Sequence, residues 1–253
     1  MIISDRCVPA GQRVIRSVTA LGLAAGLVLA GCGDDEGASK EYEQFCAAEL
    51  AIERASMGDD EAALSTAMDN LVAAAPNDDT RQKVQATIDA FMALQGPPDE
   101  AFNAAYGEVM AIVKDECGFH QVSVTAEDYK FSGVDRRIDS GPTMFTFDND
   151  GTEYHELLVL RRNDGVDQPV EELLALDEET VSSMITDTGA AFAGPGTTSY
   201  TAIDLQPGKY IAICFIPTGL TTQVFDEMMA TGAEPQGQPH AMNGMIAEFE
   251  VTS

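Results

Sequence analysis

The chain has 253 residues, and its 14 Lys and Arg against 42 Asp and Glu leave a formal net charge of −28. So acidic a surface repels nucleic acid and anionic lipid head groups, and it would steer instead toward a basic protein partner. With only three histidines, no Ser or Cys placed beside one as a nucleophile and no nucleophile elbow, the chain does not read as an enzyme.

Residues 1–31 read as an export signal. Arg6, Arg13 and Arg16 form a basic start, and the apolar run from Val18 to Ala30 is shorter than the roughly 20 residues a membrane-spanning helix needs. The run ends in Leu29-Ala30-Gly31-Cys32, which resembles a bacterial lipobox. That resemblance implies cleavage before Cys32, lipidation of its thiol, and a protein held at the extracytoplasmic face of the cell membrane. A plain signal peptide is the alternative. Residues 32–39, rich in Gly, Asp and Ser, suit a flexible tether.

Residues 40–118 carry helical periodicity. Tyr42, Phe45, Cys46 and Leu50 fall on one stripe, as do Leu64, Met68, Leu71 and Val72. Val84, Ile88, Phe91 and Met92 form a third, and Phe102, Tyr106, Val109, Met110 and Val113 a fourth. Breaks fall at Gly58-Asp59-Asp60, Pro76-Asn77-Asp78 and Gly96-Pro97-Pro98-Asp99, where helix caps belong. Four helices with short connections predict an antiparallel four-helix bundle, with no ligand cluster of its own. Cys46 and Cys117 bracket it, and an exported setting permits a disulfide between them.

From residue 119 the pattern changes to short β-branched and aromatic runs between Gly, Asn, Asp and Pro turns. Strands are predicted at 122–126, 144–147, 156–160, 200–205, 209–214 and 245–251, with helical insertions at 170–184 and 221–231. The fold class is therefore α + β: the bundle over 40–118, then a β-sandwich over 119–253. In the last strand Met245, Ala247, Phe249 and Val251 share the face predicted to be buried.

Cys214 is left without a partner, which reads either as a packed thiol or as a metal ligand. Around it the order is His155, Cys214, His240 and Met245, the last two spaced His-x4-Met. One thiolate, two imidazoles and a thioether are the donors of a mononuclear copper site. Three segments carry a resemblance: Phe147-Asp-Asn-Asp-Gly-Thr-Glu-Tyr-His155, Leu205-Gln-Pro-Gly-Lys-Tyr-Ile-Ala-Ile-Cys214, and His240-Ala-Met-Asn-Gly-Met245-Ile-Ala-Glu-Phe-Glu-Val. Residues 121–253 resemble a cupredoxin, the fold of plastocyanin and azurin. The resemblance implies a type 1-like copper ion held by His155, Cys214, His240 and Met245, with one-electron transfer or copper handling as its use. The departure is the 25-residue segment 215–239 between cysteine and second histidine, where the family has a compact loop. Glu156, beside His155, is expected as a supporting or surface carboxylate, and His120 as a structural residue. Met144, Met184 and Met242 are spare thioethers. A metal-free cupredoxin-like module that binds a cell-envelope partner is the competing reading.

Overall fold

The computed structural model describes residues 38–94, 98–233 and 235–253, and these belong to one compact unit. The signal, Cys32 and most of the tether lie outside the described residues. Four helices come first: α1 (Glu43–Ser56), α2 (Glu61–Ala74), α3 (Asp78–Ala93) and α4 (Glu100–Glu116). The predicted breaks supply three of the N-caps. Asp60 accepts from the amides of Ala62 and Ala63, Asn77 from that of Thr80, and Asp99 from that of Phe102. Each helix packs on the next in sequence. Met92 departs from its expected stripe and is exposed. Cys46 and Cys117 form a disulfide across a separation of 71 residues. No helix among the described residues is long and apolar enough to cross a membrane.

The rest is a two-sheet sandwich. Its strands are β1 (His120–Glu127), β2 (Lys130–Ser132), β3 (Arg137–Asp139), β4 (Gly141–Asn149), β5 (His155–Arg162), β6 (Ile185–Ala193), β7 (Thr198–Leu205), β8 (Gly208–Ile213) and β9 (Ile246–Thr252). One sheet runs β2-β1-β4-β7 and the other β3-β9-β8-β5-β6. Side-chain alternation along β4 and β7 gives the first sheet two buried faces. Phe145, Phe147, Ile203 and Leu205 enter the sandwich core, while Met144 and Ala202 join Phe45, Leu71, Val109 and Val113 in a core beneath the helices. The helical segment and the sandwich are therefore joined through a shared core. The second sheet is covered outside by α5 (Val170–Leu174), whose Val170 and Leu173 pack with Leu160, Ile211 and Ile213; α6 (Glu178–Ser182) lies beside it along β6.

The long insert folds outward on a narrow neck. Pro217 bridges Pro239, and the Thr218 amide donates to Gln238 O at 2.9 Å. Between them runs α7 (Thr222–Thr231), in the predicted helical segment, capped by the Thr221 hydroxyl. This neck returns the chain to where it left, so the insert's length does not separate Cys214 from His240.

Candidate metal centre

Three backbone devices bring the candidate donors together. Cys214 follows directly on β8, and its amide donates to Met245 O at 3.3 Å. Past the neck, His240 opens a short 3-10 turn, His240–Asn243, whose start is tied back by Ala241 N to Cys214 O at 2.8 Å and His240 N to Ile216 O at 2.9 Å. The Met245 amide donates to His240 O at 3.2 Å. His155 is the first residue of β5, next to β8 in the sheet.

The result is a cluster at one end of the sandwich core. The ligand atoms of His155, Cys214 and His240 all lie within 4.8 Å of one another, and all three residues are fully buried. His155 Nδ1 is 3.0 Å from His240 Nδ1, which is 3.4 Å from Cys214 Sγ. The Glu156 amide points at the same sulfur at 3.4 Å. Met245 is fully buried in the core that also holds Cys214. The spare thioethers are elsewhere or open: Met144 lies under the helices and Met242 is exposed. His120 is exposed at the start of β1.

The outer nitrogens of both imidazoles meet carboxylates. His240 Nε2 lies 3.0 Å from Glu153 Oε2, and His155 Nε2 lies 3.4 Å from Asp128 Oδ1. Burial pushes both carboxyls up, but opposing contacts win and hold them below the usual range. For Glu153 these contacts are the Gly219 amide, His240 and Tyr129; for Asp128 they are Thr152 and His155. An ionised carboxylate only accepts, so each Nε2 carries the proton and each Nδ1 is left bare. Burial lowers both histidines, reinforced at His155 by His240, which keeps the rings neutral. Burial also drives the Cys214 thiol up to about 12. Two bare imidazole nitrogens and one sulfur thus converge on buried side chains.

That donor set fits a soft or borderline metal. An ion about 2.0–2.1 Å from nitrogen and 2.3 Å from sulfur keeps such donors roughly 3–4 Å apart, and His240 Nδ1 lies 3.0 Å from His155 Nδ1 and 3.4 Å from Cys214 Sγ. Asp128, Glu153 and Tyr129 were not singled out from the sequence. Asp128 and Tyr129 fall in the turn between β1 and β2, far from any ligand along the chain. Glu153 lies only two residues before His155, and its carboxylate serves the other imidazole. Glu156, expected as a supporting or surface carboxylate, accepts the Phe215 amide at 2.7 Å and so fixes the chain leaving Cys214.

Compared with known proteins, the chain matches no protein-family description and no curated protein. Among solved structures it is similar to reduced auracyanin from Roseiflexus castenholzii, at 15% identity and TM-score 0.34, over 53% of this chain and 97% of that one. Auracyanin A from Chloroflexus aurantiacus, described as a "blue" copper protein, aligns at 12% identity and TM-score 0.31, over 52% and 98%. Rusticyanin from Thiobacillus ferrooxidans aligns at 15% identity and TM-score 0.31, over 52% and 76%.

Proposed function

We propose that this protein holds one copper ion between His155, Cys214 and His240, with Met245 as a weak fourth donor, and passes single electrons. The observation that carries the reading is the meeting of one sulfur and two bare imidazole nitrogens, from separate chain segments, on three fully buried residues. Copper, when bound, supplies the one-electron couple. The chain's part is to hold the donors still and buried. The ties among Cys214, His240 and Met245 leave the donor frame little room to rearrange between oxidation states, which favours fast exchange.

In this reading the protein is exported, anchored through a lipid on Cys32, and met by a basic redox partner drawn to its acidic surface. A metal-free binding module is the second reading. It is favoured by the fully buried, protonated Cys214, which packs in the core whether or not a metal is present. Titration with Cu(II) separates the two. Electron transfer expects an intense visible thiolate-to-copper band that saturates at one copper per chain and vanishes in Cys214→Ser. A colourless protein would leave the binding module. Cys32→Ala should release the protein from membranes; an unchanged membrane fraction would remove the lipid anchor.

A further inference from the structure

The carboxylates behind the imidazoles come from two adjoining loops that are themselves tied together. Asp128 sits in the β1–β2 turn and accepts from both the Thr152 amide at 2.9 Å and the Thr152 hydroxyl at 2.8 Å. Glu153 accepts from the Tyr129 hydroxyl at 3.0 Å and the Gly219 amide at 2.5 Å, besides its contact with His240. Tyr129 is held at φ 67°, a conformation a non-glycine residue adopts at a cost, and lays its ring edge-on to His240 with centroids 5.0 Å apart. Gly151 lets the loops close: a Cβ there would lie 2.5 Å from Asp128 Oδ1 and 2.7 Å from His155 Nε2. The turn, the loop and the insert neck thus all converge on two imidazole edges.

We propose that Asp128 and Glu153 are positioning residues, a carboxylate clamp that fixes both rings with Nδ1 inward and biases the site toward the more highly charged state of its ion. The second half of this rests on the copper reading; the clamp itself does not. A neutral imidazole has two tautomers, and only the one with its proton on Nε2 presents Nδ1 to the cluster. A partner on the outer nitrogen selects that tautomer and turns the ring to the required plane. Here both rings have such a partner, and both partners are anions. Two negative charges just outside a set that already contributes a thiolate stabilise Cu(II) more than Cu(I). Glu153 is nine-tenths buried with three donors fixed on it, whereas Asp128 is more exposed and its contact longer. Glu153 therefore contributes most, and the share of Asp128 weakens with salt.

The test separates the clamp from ordinary loop tying. Nitrogen NMR of metal-free protein labelled at histidine should show His155 and His240 both protonated on Nε2. Glu153→Gln retains an acceptor without charge, so the His240 tautomer should persist while Cu(II) affinity falls about 10–100-fold. Cu(I) affinity should change much less, and the reduction potential should rise. Glu153→Ala should release the His240 tautomer, and Gly151→Ala, which wedges Asp128 from His155, should release that of His155. If all three variants keep both tautomers and an unchanged ratio of Cu(II) to Cu(I) affinity, the carboxylates only tie loops and the clamp is overturned. Failure of the wild-type protein to take up copper would sink the copper reading, and the metal-free spectra would still decide the clamp.

Discussion

The Nδ1 atoms of His155 and His240 face one another at 3.0 Å, across 85 positions of sequence. With each Nε2 proton committed to a carboxylate, neither nitrogen has a hydrogen to offer the other, and two lone pairs meet between fully buried side chains. A shared cation removes that conflict. Copper or zinc should therefore stabilise the fold: at about 100-fold excess over Kd the gain is about 2.7 kcal/mol. For a chain of this size that is a rise of about 5–10 °C in Tm. Thermal melts with and without one equivalent of each metal make the check, and a Tm that neither metal moves would contradict the convergence argument.

The insert neck should matter more than the insert. A Cβ on Gly237 would lie 2.2 Å from Thr218 O, a backbone atom that cannot step aside without breaking the pairing of Thr218 with Gln238. Gly237→Ala should open the neck, displace His240 and weaken copper binding by about tenfold or more, a loss of about 1.4 kcal/mol. Replacing α7 by a short Gly-Ser link should leave affinity within about threefold of wild type, because loop length itself costs little. Equal losses in the two variants would show that α7 supports the site directly.

The ligand order and the helix breaks were legible because each rests on local chemistry. The caps at Asp60, Asn77 and Asp99 and the helix after Thr221 stand where side-chain acceptors precede apolar periodicity. The strand β6 was not legible. Its Gly189, Ala191 and Ala193 lack the bulk of a typical strand, for a reason only the second sheet reveals: a Cβ on Gly189 would lie 2.7 Å from Ile203 and Thr201 side chains. Likewise β2 and β3 are three residues each, too short for alternation to register. Asp128 escaped notice because its role depends on a parallel pairing of β1 with β4 that sets its turn beside the loop at Gly151. Cys46 and Cys117 were readable from sequence only as a permitted pair, and their bond is seen in the structure.

Loss of that disulfide should destabilise the protein without touching the metal centre. Cys46 and Cys117 belong to the core under the helices, whereas Cys214 and Met245 lie in the sandwich core. Closing a loop of 71 residues is worth about 4 kcal/mol in the chain-entropy model. The double variant Cys46→Ser, Cys117→Ser should unfold at markedly lower denaturant and still bind copper with wild-type stoichiometry. Loss of copper binding in a variant that remains folded would mean the two cores are coupled through β4.

Stability should also fall with rising pH through a pair of glutamates unrelated to metal. Glu49 and Glu53, one turn apart on α1, are enclosed by Tyr106 of α4 and Thr201 of β7; Tyr106 donates to both, and the Thr201 hydroxyl to Glu53 at 3.1 Å. Arg54 and Asp204 pair more openly at the rim, 3.9 Å apart. Glu49 is fully buried, and its Oε2 has no hydrogen-bond partner among the described residues. Burial, with Glu53 nearby, pushes Glu49 up to about 8; burial pushes Glu53 to about 7 against the opposing bonds of Tyr106 and Thr201. A carboxyl raised on folding keeps its proton in the native state after the unfolded chain has lost it. Its contribution is full below the unfolded value of 4.5 and drains away as pH climbs toward 8. Each unit of separation is worth about 1.4 kcal/mol. Glu49→Gln, neutral at every pH, should match wild type near pH 5 and melt several degrees higher at pH 8. Parallel melting profiles for the two proteins across that range would show that Glu49 ionises freely and is not sealed beneath the helices.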